Sequence, residues 1–167
     1  MSEKVDWESP ERRALRDSVT ALTKKEIVPN LPQWEEDGML PRELHQIVAK
    51  AGFLGLGFPE EVGGSGGDLV DATIASEAMM QAGGSGGVQA SLFTHGIALP
   101  HIVENGSADL IDRYVRPTLA GEKIGSLGIT EPGTGSDVAN IRTRAVRDGD
   151  DYVISGAKMF ITSGVRA

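Results

Sequence analysis

The 167-residue chain contains no cysteine. That excludes a disulfide framework, a thiolate metal site and a cysteine nucleophile. Aromatic residues are scarce, at 5%, so a core must be built from Leu, Ile, Val, Ala and Met. Basic residues are in deficit: 16 Lys and Arg stand against 24 Asp and Glu, for a net charge of -8. An acidic chain repels nucleic-acid phosphates and anionic lipid, so neither is an expected partner. The phosphates of a small ligand would have to be held by backbone N–H groups, hydroxyls and a few local Arg or Lys. No run approaches the roughly 18 apolar residues of a membrane span. Met1 to Asp6 carries Glu3, Lys4 and Asp6 without an apolar stretch. No secretory signal is read there, and a cytoplasmic location is expected. The three histidines, His45, His95 and His101, do not share a helix face with repeating acids, so no metal site is expected.

What is present is enough for one ordinary domain or two small ones: 40% of the residues are apolar. Ser9-Pro10-Glu11 reads as a helix start, with Leu15, Val19 and Leu22 following before Pro29. Pro32 to Asp37 reads as a polar connection. Pro41 opens a second helix, with Leu44, Ile47, Val48 and Ala51 on one face and Gly52 as its stop. Gly52 to Pro59 reads as a buried loop. Asp68, with Asp71 three residues on, caps a helix that is apolar on most sides and is expected to be central. Val88 to His95, Ile97 to Glu104 and a run begun by Ser107 read as further helices. From about Glu122 the pattern changes. Ile124–Thr130, Ile141–Val146, Tyr152–Ser155 and Lys158–Thr162 are strand-like, with turn signals at Asp148-Gly149-Asp150 and Ser155-Gly156. The predicted fold is α+β and multidomain. An all-α N-terminal domain (residues 1–121) precedes a partial antiparallel β domain (residues 122–167), which is expected to be interrupted at Ala167.

Three motifs bear on chemistry. Gly63-Gly64-Ser65-Gly66-Gly67 recurs as Gly83-Gly84-Ser85-Gly86-Gly87. Both match Gly-x-Ser-x-Gly literally, but neither follows a strand, so neither reads as a nucleophile elbow. Neither ends in the Gly-Lys-Ser/Thr of a phosphate loop. Both abut strong helical pattern and read as helix boundaries rather than flexible linkers. The stretch Gly125 to Val138 breaks from an apolar segment into a loop dense in glycine, hydroxyls and acids. Such a loop can turn backbone N–H groups on a heteroatom-rich ring or a phosphate. It can equally be a strand end with a well-made turn, and residue types alone leave both open. Glu131 in that loop reads as a turn carboxylate in preference to a general base.

Leu127-Gly-Ile-Thr-Glu-Pro-Gly-Thr-Gly-Ser-Asp137, followed by Gly156-Ala-Lys-Met-Phe-Ile-Thr-Ser-Gly164, resembles the paired flavin-contact motifs of the acyl-CoA dehydrogenase family. Gly52-Phe-Leu-Gly-Leu56, Pro59-Glu-Glu-Val-Gly-Gly64 and Val88 to Pro100 are similar to its other segments. The likeness runs through most of residues 10–164. It implies a helical, a β and a second helical domain, of which this chain would hold the first and part of the second. It implies FAD and an acyl-CoA substrate, with α,β-dehydrogenation by proton abstraction and hydride transfer to flavin N5. The glutamate base of the family would fall outside the chain, so no catalytic residue is assigned and the isolated chain is expected to be inactive. By the same resemblance Leu127, Ile129, Thr130, Phe160, Ile161 and Thr162 would meet the flavin ring. Gly135 and Ser136 would lie by the FAD pyrophosphate. Ser136, Gln89 and Phe93 would contact substrate, although Gln89 and Phe93 read equally as ordinary helix core. Phe160 stands where many family members carry Trp. The implied partners are an electron-transfer flavoprotein and further copies of the chain, in a tetramer for the full-length family. The alternatives are an acyl-CoA oxidase or flavin monooxygenase of the same fold, or a non-catalytic chain.

Overall fold

The computed structural model describes residues 6–167. Most of the Met1–Asp6 stretch read for a secretory signal lies outside the described residues. Helix α1 (Pro10–Leu22) opens where Ser9 caps it, the Ser9 hydroxyl accepting from Arg12 N–H at 3.3 Å. The run then widens through a π turn, Thr23–Ile27, that buries Thr23 and Ile27 before Pro29. Residues 31–37 correct the expected connection: they form helix α2 (Leu31–Asp37). Pro32 sits in the first turn, where its missing N–H costs nothing, and Gly38 closes the helix in the left-handed region. Helix α3 (Arg42–Lys50) buries Leu44, His45 and Val48. It ends at Gly52, whose φ of 81° needs a glycine. Phe53, Leu54 and Gly55 then make a buried single turn, and Phe58 is buried just beyond it.

That turn is tied to the first glycine pentad. Ser65 N–H donates to Gly55 O at 2.8 Å, Gly66 N–H to Phe58 O at 2.9 Å and Gly64 N–H to Pro59 O at 2.9 Å. Helix α4 (Leu69–Gln81) begins with the expected capping box between Asp68 and Asp71. Arg12 reaches across from α1, with Nη2 2.9 Å from Asp68 and Nε 2.9 Å from Asp71. The two helices pack along each other. The apolar character of α4 overstates its burial. Ile74, Ala75, Ala78 and Met79 are buried, but Leu69 is 82% and Met80 43% exposed. Ser85 caps α5 (Gly86–Phe93), and α6 (His95–Ala98) and α7 (Pro100–Asn105) continue almost end to end. Ser107 caps α8 (Ala108–Leu110). A π turn, Ile111–Val115, joins it to α9 (Arg116–Leu119), which carries Pro117 in its first turn. The helical core is built mainly from Val19, Ile27, Leu44, Val48, Met79 and Leu92. Burying one such side chain fully contributes about 1.5–3 kcal/mol.

After Gly121 the chain leaves helix. Strands β1 (Arg144–Asp148) and β2 (Asp151–Ser155) pair antiparallel, Ala145 opposite Ile154 and Arg147 opposite Tyr152, around the expected Gly149-Asp150 turn. Two further expected strands are absent from the described residues: 124–130 and 158–162 are irregular. A strand persists only on a ladder of partners, and between these segments a single backbone bond forms, Met159 N–H to Thr130 O at 3.0 Å. The apolar alternation of Leu127 and Ile129 serves a cleft instead of a sheet face. The fold is a helical N-terminal domain followed by a small antiparallel two-strand sheet.

Candidate functional site

The loops 125–131 and 158–162 run side by side because side chains lace them together. Ser126 Oγ donates to Thr162 O at 2.8 Å and Lys158 Nζ to Ile129 O at 2.8 Å. Glu131, only 7% exposed, is the anchor. Its carboxylate accepts from Thr143 Oγ1 at 2.5 Å, Arg142 N–H at 2.8 Å and Thr143 N–H at 2.9 Å, and lies 3.0 Å from Lys158 Nζ. The Thr143 hydroxyl first, then the two backbone N–H groups and Lys158, lower its pKa from 4.5 to about 2. A carboxylate so satisfied is a turn anchor, and a poor base. Gly156 packs against the same anchor: a Cβ there would come within 2.8 Å of Thr143 Cα.

Between these loops and α5 and α6 lies an open cleft of about 350 Å³. It brings together Leu127, Ile129 and Thr130 from one loop, Phe160, Ile161 and Thr162 from the other, and Gln89 and Phe93 from α5. Gly135 and Ser136 do not line it. They sit exposed in the loop past Glu131. Ala90, Thr94 and Ile97 also line the cleft, and sequence reasoning did not single them out. Their i, i+4, i+7 spacing was the available signal. Lys158, which ties the two loops, stands inside the Gly156–Gly164 motif but was assigned no role there.

The cleft has donors to offer. Among the described residues, the backbone N–H groups of Leu127, Ile129, Thr130, Phe160, Ile161 and Thr162 donate to no protein acceptor. Phe160 is 86% exposed with φ 56°, and Ser163 follows at φ 61°. Holding a bulky residue in the left-handed region costs about 1–2 kcal/mol. Such strain, kept on an exposed aromatic at a cleft, points to a ligand-facing role. Among the described residues, no Asp, Glu, His, Lys or Arg lines the cleft. Among the described residues no three His, Asp or Glu side chains are grouped to hold a metal ion.

Both loops and the helices facing them are matched by family models. The acyl-CoA dehydrogenase N-terminal domain matches residues 9–122 and the acyl-CoA dehydrogenase middle domain residues 126–167. The chain belongs to the acyl-CoA dehydrogenase family. Among acyl-CoA dehydrogenases of known sequence, it is 38% identical over 156 residues to the mitochondrial long-chain specific acyl-CoA dehydrogenase of Sus scrofa, covering 93% of this chain and 36% of that protein. A crystal structure described as a probable acyl-CoA dehydrogenase from Mycobacterium abscessus is 64% identical, with a TM-score of 0.95, over 97% of this chain and 43% of that one. A glutaryl-CoA dehydrogenase from Mycobacterium smegmatis in complex with FADH2 is 30% identical, with a TM-score of 0.88, over 98% of this chain and 41% of that one. The chain therefore spans less than half the length of each of these relatives.

Proposed function

We propose that the cleft is this chain's share of an FAD site, and that the protein serves the FAD-dependent α,β-dehydrogenation of an acyl-CoA thioester. The observation that carries this reading is the convergence of Leu127, Ile129, Thr130, Phe160, Ile161 and Thr162 on one cleft. The residues fit the cofactor. Six free backbone N–H groups suit a flat ring rich in heteroatoms, and an exposed aromatic suits its face. Thr130 and Thr162 add hydroxyls, and donors of this kind favour the electron-rich reduced ring. Gly135 and Ser136, outside the cleft, are assigned to the pyrophosphate, with Ser136 also toward the CoA. Gln89 and Phe93 are assigned to the acyl chain. When bound, the flavin supplies the hydride acceptor; what these residues do is orient the ring and exclude water.

The division into residues 1–121 and 122–167 is proposed as the domain boundary. With no titratable side chain on the cleft among the described residues, no residue here is assigned to remove the α proton, and the 167-residue chain is proposed to be inactive alone. An electron-transfer flavoprotein as acceptor, a homo-oligomer and a cytoplasmic setting complete the proposal. Fluorescence titration with FAD tests it: weak, saturable quenching that Thr130→Ala and Thr162→Ala diminish is expected. Quenching indifferent to both substitutions overturns the cleft assignment. Anaerobic addition of an acyl-CoA to the flavin-loaded chain is expected to leave its colour unchanged; bleaching would show that the chain holds a base.

A further inference from the structure

Lys158 belongs to the Gly156–Gly164 motif but does not line the cleft. Its stem runs beside Gly128, where an added Cβ would sit 3.4 Å from Lys158 Cγ. The side chain is 25% exposed. Its ammonium ends on two acceptors of the opposite loop, Ile129 O at 2.8 Å and Glu131 Oε1 at 3.0 Å. At Glu131 it is one donor of four, beside Thr143 Oγ1 and the N–H groups of Arg142 and Thr143. At Ile129 O it is the one donor among the described residues.

The carbonyl of Ile129 and the N–H of Thr130 belong to a single peptide unit. No described peptide bond is cis, so the two groups point in opposite directions within one plane. The carbonyl faces Lys158, off the cleft. The N–H faces away from Lys158, on a residue that lines the cleft, and donates to no protein acceptor. A hydrogen bond to a carbonyl draws electrons from the amide nitrogen and strengthens its N–H as a donor, by roughly 10–30% per bond in a chain. A charged donor acts more strongly, its bonds being about twice as strong as neutral ones. The neighbouring units lack one or other end of this arrangement. Thr130 O accepts from the neutral Met159 N–H, and the Glu131 N–H of that unit is used by Thr134 O. Thr162 O accepts from the neutral Ser126 hydroxyl.

We infer that Lys158 is a positioning residue that polarises the Thr130 N–H toward the cleft, so that the site binds reduced flavin more tightly than oxidised flavin. The inference rests on the flavin reading of the cleft. Lys158 touches no cofactor; it acts through the peptide between Ile129 and Thr130. Reduction adds electron density to the ring, so a strengthened donor gains more from the reduced form than from the oxidised one. Differential affinity of this kind shifts the flavin's redox equilibrium toward reduction by the same factor.

Three substitutions separate charge from mere bonding. Lys158→Met removes the ammonium and keeps an unbranched stem, Lys158→Gln keeps a donor without charge, and Lys158→Arg keeps a cation. The 167-residue chain is titrated by NMR with oxidised FAD and, under nitrogen, with dithionite-reduced FAD. The wild type should bind the reduced form more tightly. The Met and Gln variants should each lower the ratio of reduced to oxidised affinity about threefold, and the Arg variant should restore it. Without flavin, the Thr130 amide proton should move upfield in the Met and Gln variants and hold its place in the Arg variant. The Met159 amide, bonded to Thr130 O, should keep its exchange protection in all three, as docked loops require. Equal losses for the two oxidation states, a Gln variant that matches wild type, an unmoved Thr130 amide or lost protection at Met159 in both neutral variants overturns the inference and leaves Lys158 a structural tie. Failure of the wild type to bind FAD in either oxidation state sinks the flavin reading instead. The Thr130 shift, measured without flavin, then still decides whether Lys158 polarises that N–H.

Discussion

Glu131 and Phe160 show how single residues shape the cleft in opposite ways, one by satisfying every acceptor and the other by tolerating strain. Glu131 binds the loop through Thr143, Arg142 and Lys158, and its pKa falls from 4.5 to about 2. A depressed carboxylate pKa stabilises the fold fully above the unfolded value. That contribution drains as pH falls from about 4.5 through about 2. Glu131→Gln should therefore melt below wild type at neutral pH, and the gap should narrow across that acid window in calorimetric scans. Phe160 is 86% exposed at φ 56°. Phe160→Gly relieves the left-handed strain while giving the unfolded chain more freedom, so its melting temperature should scarcely move. Its flavin affinity should fall about tenfold as the aromatic face is lost. A large stability loss with unchanged quenching would instead make Phe160 a packing residue.

At the scale of elements, capping chemistry carries most of the legible structure. Ser9, Asp68, Ser85 and Ser107 each cap a helix through a side-chain acceptor. Those at Ser9, Asp68 and Ser107 are readable from the sequence because such signals are local. Gly86, in the first turn of α5, has no positive φ, and a methyl group added at its Cα would meet only open space. Gly86→Ala should stabilise by about 0.4–1 kcal/mol, seen as a rise of roughly 1–3 °C in melting temperature. Less legible is anything that depends on distant partners. Residues 124–130 and 158–162 have strand-like patterns, yet whether a strand forms depends on a neighbour that local pattern does not specify. Helix α2 hides in the sequence because its proline and run of polar residues resemble a connection, whereas Pro32 stands at a helix start. The residues proposed to contact flavin come from motif resemblance, and the cleft gathers six of the eight named for the cofactor. Ala90, Thr94 and Ile97 need the three-dimensional fold to bring α5 and α6 over the loops.

For the molecule as a whole, the two-strand hairpin stands out from the packed helical core. Every residue of β1 and β2 is exposed, with Val146 at 63% and Ile154 at 71%. Exposed apolar strands with open edges template association. The purified chain should self-associate with rising concentration, and Val146→Lys with Ile154→Lys should hold it monomeric in light scattering. An unchanged mass distribution would locate association elsewhere. In the helical domain, the pentad Gly63-Gly64-Ser65-Gly66-Gly67 has the composition of an engineered tether and the bonding of a folded turn. Composition would mark it as the natural place to cut or lengthen the protein. The amide protons of Gly64, Ser65 and Gly66 should instead exchange with deuterium slowly, on the timescale of the core helices. An inserted residue there would shift the register of all three bonds and release residues 53–58, so this glycine-rich joint is a seam to leave uncut.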